Sequence, residues 1–240
     1  MDKSYPTFFF ERKLWKNGFG QIAGVDEVGR GCFAGPVVAA ALAFAPMTKA
    51  KWLMLNGVRI DDSKKLKPRE REIASAWIKK NALSWGIGEV SVGLINRMGI
   101  GQATKVAFRS AVIDANRRLQ TKGYGLRKGN RFNTKVSRRK AVDFLLIDAF
   151  FIPHVRGLRR KNQKAIIKGD EKSISIAAAS IVAKVYRDKL MRKLSHKYPQ
   201  YGWGRNKGYG TRLHREAILK YGVTEYHRKD FVSTFLSKLA

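Results

Sequence analysis

The sequence predicts a mixed α/β fold in which helices flank one sheet. Two short apolar runs, residues 22–25 and 37–44, lie on either side of a glycine-rich turn and predict an early pair of strands. Two later apolar runs, residues 144–147 and 165–167, are typical of parallel strands that are buried on both faces. Early hairpin strands followed by strand–helix units indicate a mixed sheet, in one domain or in one domain with an appendage.

A further strand and a first helix are predicted between the hairpin and the later strands. Residues 84–90 can supply the strand. Residues 68–80 place Ile73, Ala76 and Trp77 at the i, i+3, i+4 spacing of a helix face. We therefore expect a helix whose apolar side carries these three residues.

Three more helices are predicted toward the C-terminus. Residues 101–119 form a helical pattern with one apolar face, made of Ala103, Val106, Ala107 and Ala111. Residues 173–194 are the clearest helix, and small residues at 177–180 would let it approach a sheet closely. A glycine-rich, aromatic and basic loop spans 202–210, after which Thr211 is a suitable N-cap for a helix that ends at Tyr221.

The charge balance predicts a polyanionic partner. The chain has 49 Lys+Arg and 18 Asp+Glu, a formal net charge of +31. Nucleic acid is the first candidate because phosphate neutralisation drives non-specific binding, although a ribosome-associated structural protein would show the same excess. The longest weakly polar stretch is shorter than a membrane helix, and the single cysteine, Cys32, excludes an intrachain disulfide. We therefore expect a soluble cytoplasmic protein that does not bind a membrane.

One segment is far more basic than the rest of the chain. Residues 115–141 have no carboxylate, little periodicity and several glycines, and so predict an exposed basic loop. Its basic residues are Arg117, Arg118, Lys122, Arg127, Lys128, Arg131, Lys135, Arg138, Arg139 and Lys140. We expect this loop to add contacts with backbone phosphates rather than to take part in catalysis.

Four acidic residues stand where predicted strands end or helices begin, and they are Asp26, Glu27, Asp148 and Asp170. We expect them to meet, because sites collect at the carboxyl ends of strands in α/β sheets. Crowded carboxylates repel unless cations neutralise them, and oxygen donors without Cys or a His motif favour Mg²⁺ or Mn²⁺. In a basic protein this indicates two-metal phosphodiester hydrolysis. A hairpin that merely has an acidic turn is the alternative for Asp26 and Glu27.

Several sequence blocks, in order from Ile22 to about Phe231, resemble those of the type 2 ribonucleases H, the ribonuclease HII family. The blocks are GVDEVGRG at 24–31, DSKKL at 62–66, ID followed by IP at 147–153, AIIKGD at 165–170, SIAAASIVAKV with RD at 175–188, KGYGT at 207–211 and HR at 227–228. The resemblance implies a ribonuclease H-like mixed five-stranded sheet flanked by helices, with a C-terminal helical extension. It divides the chain into an N-terminal extension (1–20), a catalytic domain (21–195) and a helical region that completes the substrate site (196–240).

The resemblance also implies the site residues. The catalytic, metal-binding carboxylates would be Asp26, Glu27, Asp148 and Asp170. The residues that face the ribose 2′-hydroxyl, the group that distinguishes RNA from DNA, would be Gly29, Arg30 and Gly31. Tyr209 would stack on the sugar beyond the scissile junction. The phosphate contacts would be Lys64, Lys65, Lys168 and the helix N-terminus near Ser173.

The activity implied is that of a metal-dependent endonuclease of replication and repair, using Mg²⁺ or Mn²⁺. It would cut the RNA strand of RNA–DNA hybrids and incise 5′ of ribonucleotides embedded in DNA, leaving 3′-hydroxyl and 5′-phosphate ends. We expect a monomer, and residues 233–240 show no clear sliding-clamp peptide. One alternative is a type 3-like enzyme acting on longer hybrids, although only some twenty residues precede Ile22 where those relatives have an added domain. The other is a non-catalytic nucleic-acid-binding protein.

The sequence departs from the family pattern at three places. Ala149 follows the third acid where the family usually has glycine, and Asp230 stands where it tends to have serine. The basic segment at 115–141 is longer than the family requires. Asp188 is a further acid in the longest block, and we interpret it as a surface or helix-pairing residue rather than a ligand.

Overall fold

The computed structural model describes residues 5–46, 58–121 and 141–238. In chain order the elements are α1 (Phe9–Lys16), β1 (Ile22–Val28), β2 (Val37–Ala43), α2 (Pro68–Asn81), β3 (Ser84–Val90), α3 (Val92–Thr121), β4 (Phe144–Asp148), β5 (Gln163–Ile166), α4 (Ile174–Lys197), α5 (Trp203–Asn206), α6 (Arg212–Tyr221) and α7 (Lys229–Leu236). Most of the basic segment predicted at 115–141 lies outside the described residues. Within the described ranges, none of the helices has the length and apolar character needed to cross a bilayer.

The strands form one five-stranded sheet in the order β3-β2-β1-β4-β5. The pairs β3–β2 and β2–β1 are antiparallel, whereas β1–β4 and β4–β5 are parallel. The predicted mixed sheet is therefore confirmed, with an early hairpin and later parallel strands. The parallel pairs place the carboxyl ends of β1, β4 and β5 at one edge, where functional groups collect in α/β sheets.

Strand β1 extends beyond the four residues predicted from its apolar run. Its ladder with β2 continues through Asp26↔Ala40 and Glu27↔Ala39 to Val28↔Val38, so the acidic pair lies on the strand itself. On the other side, Val25 pairs with Ile147. Asp26 and Asp148, the next residue on each parallel strand, are consequently neighbours.

Helix α3 covers one face of the sheet. The predicted face is confirmed, since Ala103, Ala107 and Ala111 are fully buried. The helix approaches β3 so closely that a Cβ at Gly88 would come within 1.9 Å of the Ala107 carbonyl oxygen. Helical structure starts earlier than predicted, at Val92, and is interrupted at Gly99, whose φ of 76° breaks the helical path.

Helix α4 packs on the opposite face. The helix predicted at 173–194 is confirmed; Ser173 is its N-cap, and its hydroxyl accepts a hydrogen bond from the Ile176 amide. A Cβ at Gly24 of β1 would lie 2.1 Å from the Ser175 carbonyl carbon. The first turn of α4 therefore rests directly on the strand that carries Asp26, two residues before that carboxylate.

The buried face of α2 differs from the prediction. Ala74, Ser75 and Ile78 are buried, whereas Ile73 is 53% exposed. The reason is that α2 lies beside α4, and only the stripe that faces α4 and its apolar cluster is covered. Spacing alone identified a helix here but did not identify the side that its neighbour would cover.

Strand β5 and the ends of the chain also differ from the predictions. The strand ends at Ile166, and Ile167, which belongs to the predicted apolar run, is 74% exposed in the turn that follows. Helices α1 and α7 were not predicted, and α5 lies inside the segment predicted to be a loop. The helix after Thr211 is confirmed, and the Thr211 hydroxyl accepts a hydrogen bond from the His214 amide.

Candidate active site

A cavity of about 210 Å³ opens at the carboxyl edge of β1 and β4. Acidic, basic, hydroxyl and glycine residues line it, namely Asp26, Glu27, Val28, Gly29, Arg30, Gly31, Ser63, Lys64, Asp148, Asp170, Ser180, Lys184 and Tyr209. The structure thus brings together the four predicted acids, which we call the carboxylate cluster (Asp26, Glu27, Asp148 and Asp170). It also brings residues 29–31, the GRG loop, to the same cavity.

Three separate elements deliver the carboxylate cluster. Asp26 and Glu27 lie on β1, and Asp148 is the last residue of β4. Asp170 belongs to a single 3₁₀ turn, Gly169–Glu171, between β5 and α4. The Gly169 amide donates to Asp148 Oδ1 at 2.7 Å, which connects that turn directly to the end of β4.

Burial and mutual repulsion disfavour the charged forms of these acids. Burial, followed by the charge of Glu27, holds the pKa of Asp26 well above its usual range, although a hydrogen bond from Ser180 opposes the shift. Burial also raises the pKa of Glu27, against the opposing charge of Arg30. Burial and the charge of Asp62 raise the pKa of Asp170. The cavity is therefore short of positive charge although the whole chain is strongly basic.

Two cationic side chains, Lys64 and Arg30, bring positive charge close to these acids. Lys64 Nζ lies 3.6 Å from Asp170 Oδ2 and 3.9 Å from Asp62 Oδ1. Arg30 Nη1 lies 3.9 Å from Glu27 Oε1, and its guanidinium also stands over the Phe150 ring at 5.3 Å. Both cationic side chains are substantially exposed.

The donor set of the carboxylate cluster fits a hard divalent cation. Oxygen donors of this kind are the preferred ligands of Mg²⁺ and Mn²⁺, and a cation would relieve the repulsion that raises the pKa of Asp26. As the side chains stand, no three Asp, Glu, His or Cys residues within the described ranges are arranged to ligate one ion. Binding would therefore require the carboxylates to turn toward a common point.

Two buried arginines hold residues 29–36, the segment that begins with the GRG loop; both stand in matched blocks, but the sequence analysis gave them no role. Arg187 donates to the carbonyls of Pro36, Ala34 and Lys207 at 2.8–3.0 Å. Arg228 donates to the carbonyls of Gly35 and Arg30 at 2.8–3.0 Å. Both arginines are fully buried, and burial lowers the pKa of Arg228 to about 10. The loop that leaves β1 is thus fixed by charged donors on its own carbonyls.

The predicted substrate-binding residues divide into two groups. Lys64 and Tyr209 line the cavity, and the Tyr209 side chain is 41% exposed at its mouth. Lys65 and Lys168 do not line it. Lys65 instead faces Asp61 at 4.0 Å and Glu171 at 3.5 Å, and Lys168 is an exposed residue in a left-handed turn.

The structure does not bring Ser173 to the cavity. Its side chain is fully buried, caps α4, and donates a 2.6 Å hydrogen bond to Glu11 Oε1. The first turn of α4 is therefore already occupied by a carboxylate of the protein. A phosphate could bind at the N-terminus of α4 only by displacing Glu11.

Three polar residues of the cavity wall, Ser63, Ser180 and Lys184, were not predicted as site residues. The hydroxyls of Ser63 and Ser180 lie 3.0 Å apart and join the start of the 62–66 block to α4. Lys184 donates to Asp188 at 2.8 Å. Asp188 is buried, and its Oδ2 also lies 3.8 Å from Arg71 Nη2 on α2. Asp188 therefore pairs α4 with α2 and is not a surface residue. Ser180 and Lys184 belong to the block at 175–188 that resembles the family, but the sequence pattern did not indicate a role for them.

Ala149 occupies a backbone conformation that favours glycine. Its φ is 64°, in the left-handed region, directly after Asp148. We expect Ala149→Gly to stabilise the fold by roughly 0.5–1 kcal/mol, because removing Cβ relieves the strain and outweighs the added entropy of the unfolded chain. Chemical denaturation measures this. Unchanged or lower stability in the glycine variant would contradict the strain.

The chain matches known proteins over nearly its whole length. A family model described as Ribonuclease HII matches residues 23–234. Ribonuclease HII of Alkaliphilus metalliredigens (strain QYMF) is 42% identical over 230 residues, which span 94% of this chain and 97% of that protein. The match therefore includes the carboxylate cluster, the GRG loop and Tyr209.

Solved structures agree with the fold. Ribonuclease HII in the structure of its complex with PCNA from Archaeoglobus fulgidus has a TM-score of 0.62 and 25% identity, over 88% of this chain and 94% of that chain. Bst-RNase HIII in complex with Mn²⁺ has a TM-score of 0.59 at 18% identity, over 91% of this chain and 70% of that chain, and shows the fold alone. The sheet is thus the ribonuclease H-like one that the sequence predicted. With the family match across residues 23–234, the chain belongs to the ribonuclease HII family and is a ribonuclease H, a hydrolase.

Proposed function

We propose that this chain is a metal-dependent endonuclease that cleaves the RNA strand of RNA–DNA hybrids and incises 5′ of ribonucleotides embedded in duplex DNA. Its products would carry 3′-hydroxyl and 5′-phosphate ends. The observation that supports the proposal is the meeting of the carboxylate cluster and the GRG loop in one cavity. Groups suited to bind divalent cations thus stand beside backbone groups that can reach a sugar.

The carboxylate cluster would hold the cations, either Mg²⁺ or Mn²⁺, the latter being the ion in the Bst-RNase HIII structure. Bound there, they would supply a nucleophilic water and neutralise the charge on the attacking and leaving oxygens. The hydrogen bond that the Gly169 amide donates to Asp148 Oδ1 supports the proposal, because it holds this carboxylate beside the turn that contains Asp170. A cation among the carboxylates would offset the repulsion that, together with burial, raises the pKa of Asp26.

The remaining groups of the cavity would bind and orient the nucleic acid. The GRG loop would present backbone groups to the 2′-hydroxyl, since this group distinguishes RNA from DNA. Tyr209 would stack on the sugar beyond the scissile bond. Lys64 would contact the scissile phosphate, and we add Lys184, which lines the same wall. Lys65 and Lys168 would contact flanking phosphates from outside the cavity.

We extend the proposal to the organisation of the chain. Residues 21–195 would form the catalytic domain, and residues 196–240 would complete the substrate site through Tyr209. Arg228, the residue before α7, connects this region to the GRG loop, since it donates to the Arg30 carbonyl. A monomer working in the reducing cytoplasm would be compatible with the single, buried Cys32.

A labelled DNA duplex with one embedded ribonucleotide tests this function. We expect a single cut on the 5′ side of the ribonucleotide with Mg²⁺ or Mn²⁺, none with EDTA, and none in a matched all-DNA duplex. An intact single-ribonucleotide duplex, with cleavage of long hybrids only, would contradict the proposal and favour type 3-like specificity. An absence of any metal-dependent cleavage would favour a non-catalytic binding protein.

A further inference from the structure

A buried carboxylate stands outside the cavity, on helix α1. Glu11 is fully buried, and its Oε1 accepts hydrogen bonds from Ser173 Oγ at 2.6 Å and from the Ser175 amide at 3.0 Å. These donors belong to the N-cap and first turn of α4, where the helix dipole favours negative charge. Glu11 therefore occupies the helix N-terminus as an anion that the protein itself provides.

The backbone before α1 is bonded to the same place. The Thr7 amide donates to the Lys172 carbonyl at 3.1 Å, and the Ile174 amide donates to the Thr7 carbonyl at 3.2 Å. Thr7 thus pairs with both neighbours of Ser173, in the manner of a short parallel bridge. These four hydrogen bonds tie residues 7–11 to residues 172–175.

Those residues are coupled to two members of the carboxylate cluster. The Ser173 amide donates to the Gly169 carbonyl at 2.8 Å, which closes the turn that contains Asp170. The Gly169 amide in turn donates to Asp148 Oδ1 at 2.7 Å. An unbroken path of contacts therefore runs from Glu11 through Ser173 and Gly169 to Asp148, with Asp170 inside the turn.

We propose that Glu11 is a positioning residue for the reaction, and that it fixes the Gly169–Ser173 turn so that Asp148 and Asp170 stay within reach of a common cation position. The inference rests on the proposed function, because it assumes that these two acids are ligands. Glu11 does not line the cavity. It acts through the turn that it holds.

A purely structural role explains Glu11 less well. Phe10, Leu14 and Trp15 already pack α1 against the core through apolar contacts. Glu11 is fully buried, and burial raises its pKa because it disfavours the charged carboxylate. An apolar residue would anchor the helix without this cost. An apolar residue could not accept hydrogen bonds from two donors of the turn, as Glu11 Oε1 does.

Hydrogen–deuterium exchange of the metal-free protein tests the first half of the inference. In Glu11→Ala we expect protection of the amides in residues 169–175 to fall roughly tenfold, the effect of losing a charge-assisted hydrogen bond. Glu11→Gln, whose amide oxygen can accept the same two hydrogen bonds, should retain protection within about threefold of wild type. Unchanged exchange in Glu11→Ala would overturn the inference.

Cation titration of hybrid cleavage tests the second half. For Glu11→Ala we expect the Mn²⁺ concentration that gives half-maximal rate to rise roughly tenfold, with little change in the KM for hybrid, and Glu11→Gln should restore it. Val112→Ala, a buried truncation on α3 across the sheet, serves as the control for lost stability. The positioning role would be contradicted if Val112→Ala or Glu11→Gln raised the half-maximal Mn²⁺ concentration as much as Glu11→Ala does. Failure of the wild-type protein to cleave would instead reject the proposed function and leave the exchange result standing.

Discussion

Replacing Asp148 or Asp26 with asparagine is expected to abolish cleavage of hybrids while leaving hybrid binding largely intact. Asparagine keeps the size of the side chain but removes the negative charge that a divalent cation requires. We expect the loss of rate to exceed roughly 10³-fold, as when a group that stabilises transition-state charge is removed. Binding should persist, because phosphate contacts by basic residues provide most of the affinity.

Single-turnover assays with Mg²⁺ or Mn²⁺ measure the rate of cleavage. Fluorescence anisotropy of a labelled hybrid in EDTA measures the affinity for the hybrid. Asp230→Asn provides a matched control, since Asp230 is an exposed acid on α7 outside the cavity. That variant should cleave as wild type does. Normal turnover by Asp148→Asn would show that the wrong acid has been assigned to the metal.

Gly29→Ala is expected to give the second largest effect, on stability and on activity together. Gly29 has a φ of 87°, and a Cβ there would lie 2.1 Å from Arg187 Nε. Arg187 cannot yield cheaply, because three carbonyls hold its buried guanidinium. We expect a loss of about 3 kcal/mol or more, the usual result of disturbing a buried charge. This corresponds to a melting temperature lower by roughly 6–12 °C.

Gly31→Ala is the matched control for stability. It lies in the same loop, but no atom is within 4 Å of its Cβ position and its φ is outside the left-handed region. Its melting temperature should stay within about 2 °C of wild type. Thermal unfolding followed by circular dichroism compares the two. Equal stability of the two variants would contradict the account of how Arg187 holds the loop.

The sequence predicted the sheet well because the sheet is made of local apolar runs. Residues 144–147 and 84–90 are continuous or alternating, and each forms the strand expected. The strand predicted at 165–167 was placed too late in the chain, because the apolar pattern cannot distinguish Ile167, which lies in a turn, from an isoleucine in a strand. The buried side of α2 is set by the position of α4, and residue spacing within α2 gives no information about that position.

The candidate site could be predicted only through the resemblance. The four acids come from segments far apart in the chain, and no spacing rule says that Asp170 faces Asp148. The family blocks identified these acids together with the GRG loop, and the structure places them around one cavity. The metal role of the acids itself stays a prediction.

The supports behind the site could not be predicted. Arg187 and Arg228 look like ordinary basic residues in a chain with 49 of them, yet both are fully buried on backbone carbonyls. Glu11 lies in a segment taken for an extension, and Ser173 was expected to meet phosphate. In the structure these two residues bind each other. Side-chain burial of polar groups leaves little trace in a single sequence.

Anomalous diffraction from crystals grown with Mn²⁺ tests the central claim most directly. The account predicts manganese bonded to oxygens of Asp26, Glu27, Asp148 and Asp170, with the Asp148 carboxylate still accepting the Gly169 amide. Manganese bound elsewhere, with these four side chains left unligated in a protein that cleaves hybrids in the same buffer, would contradict it.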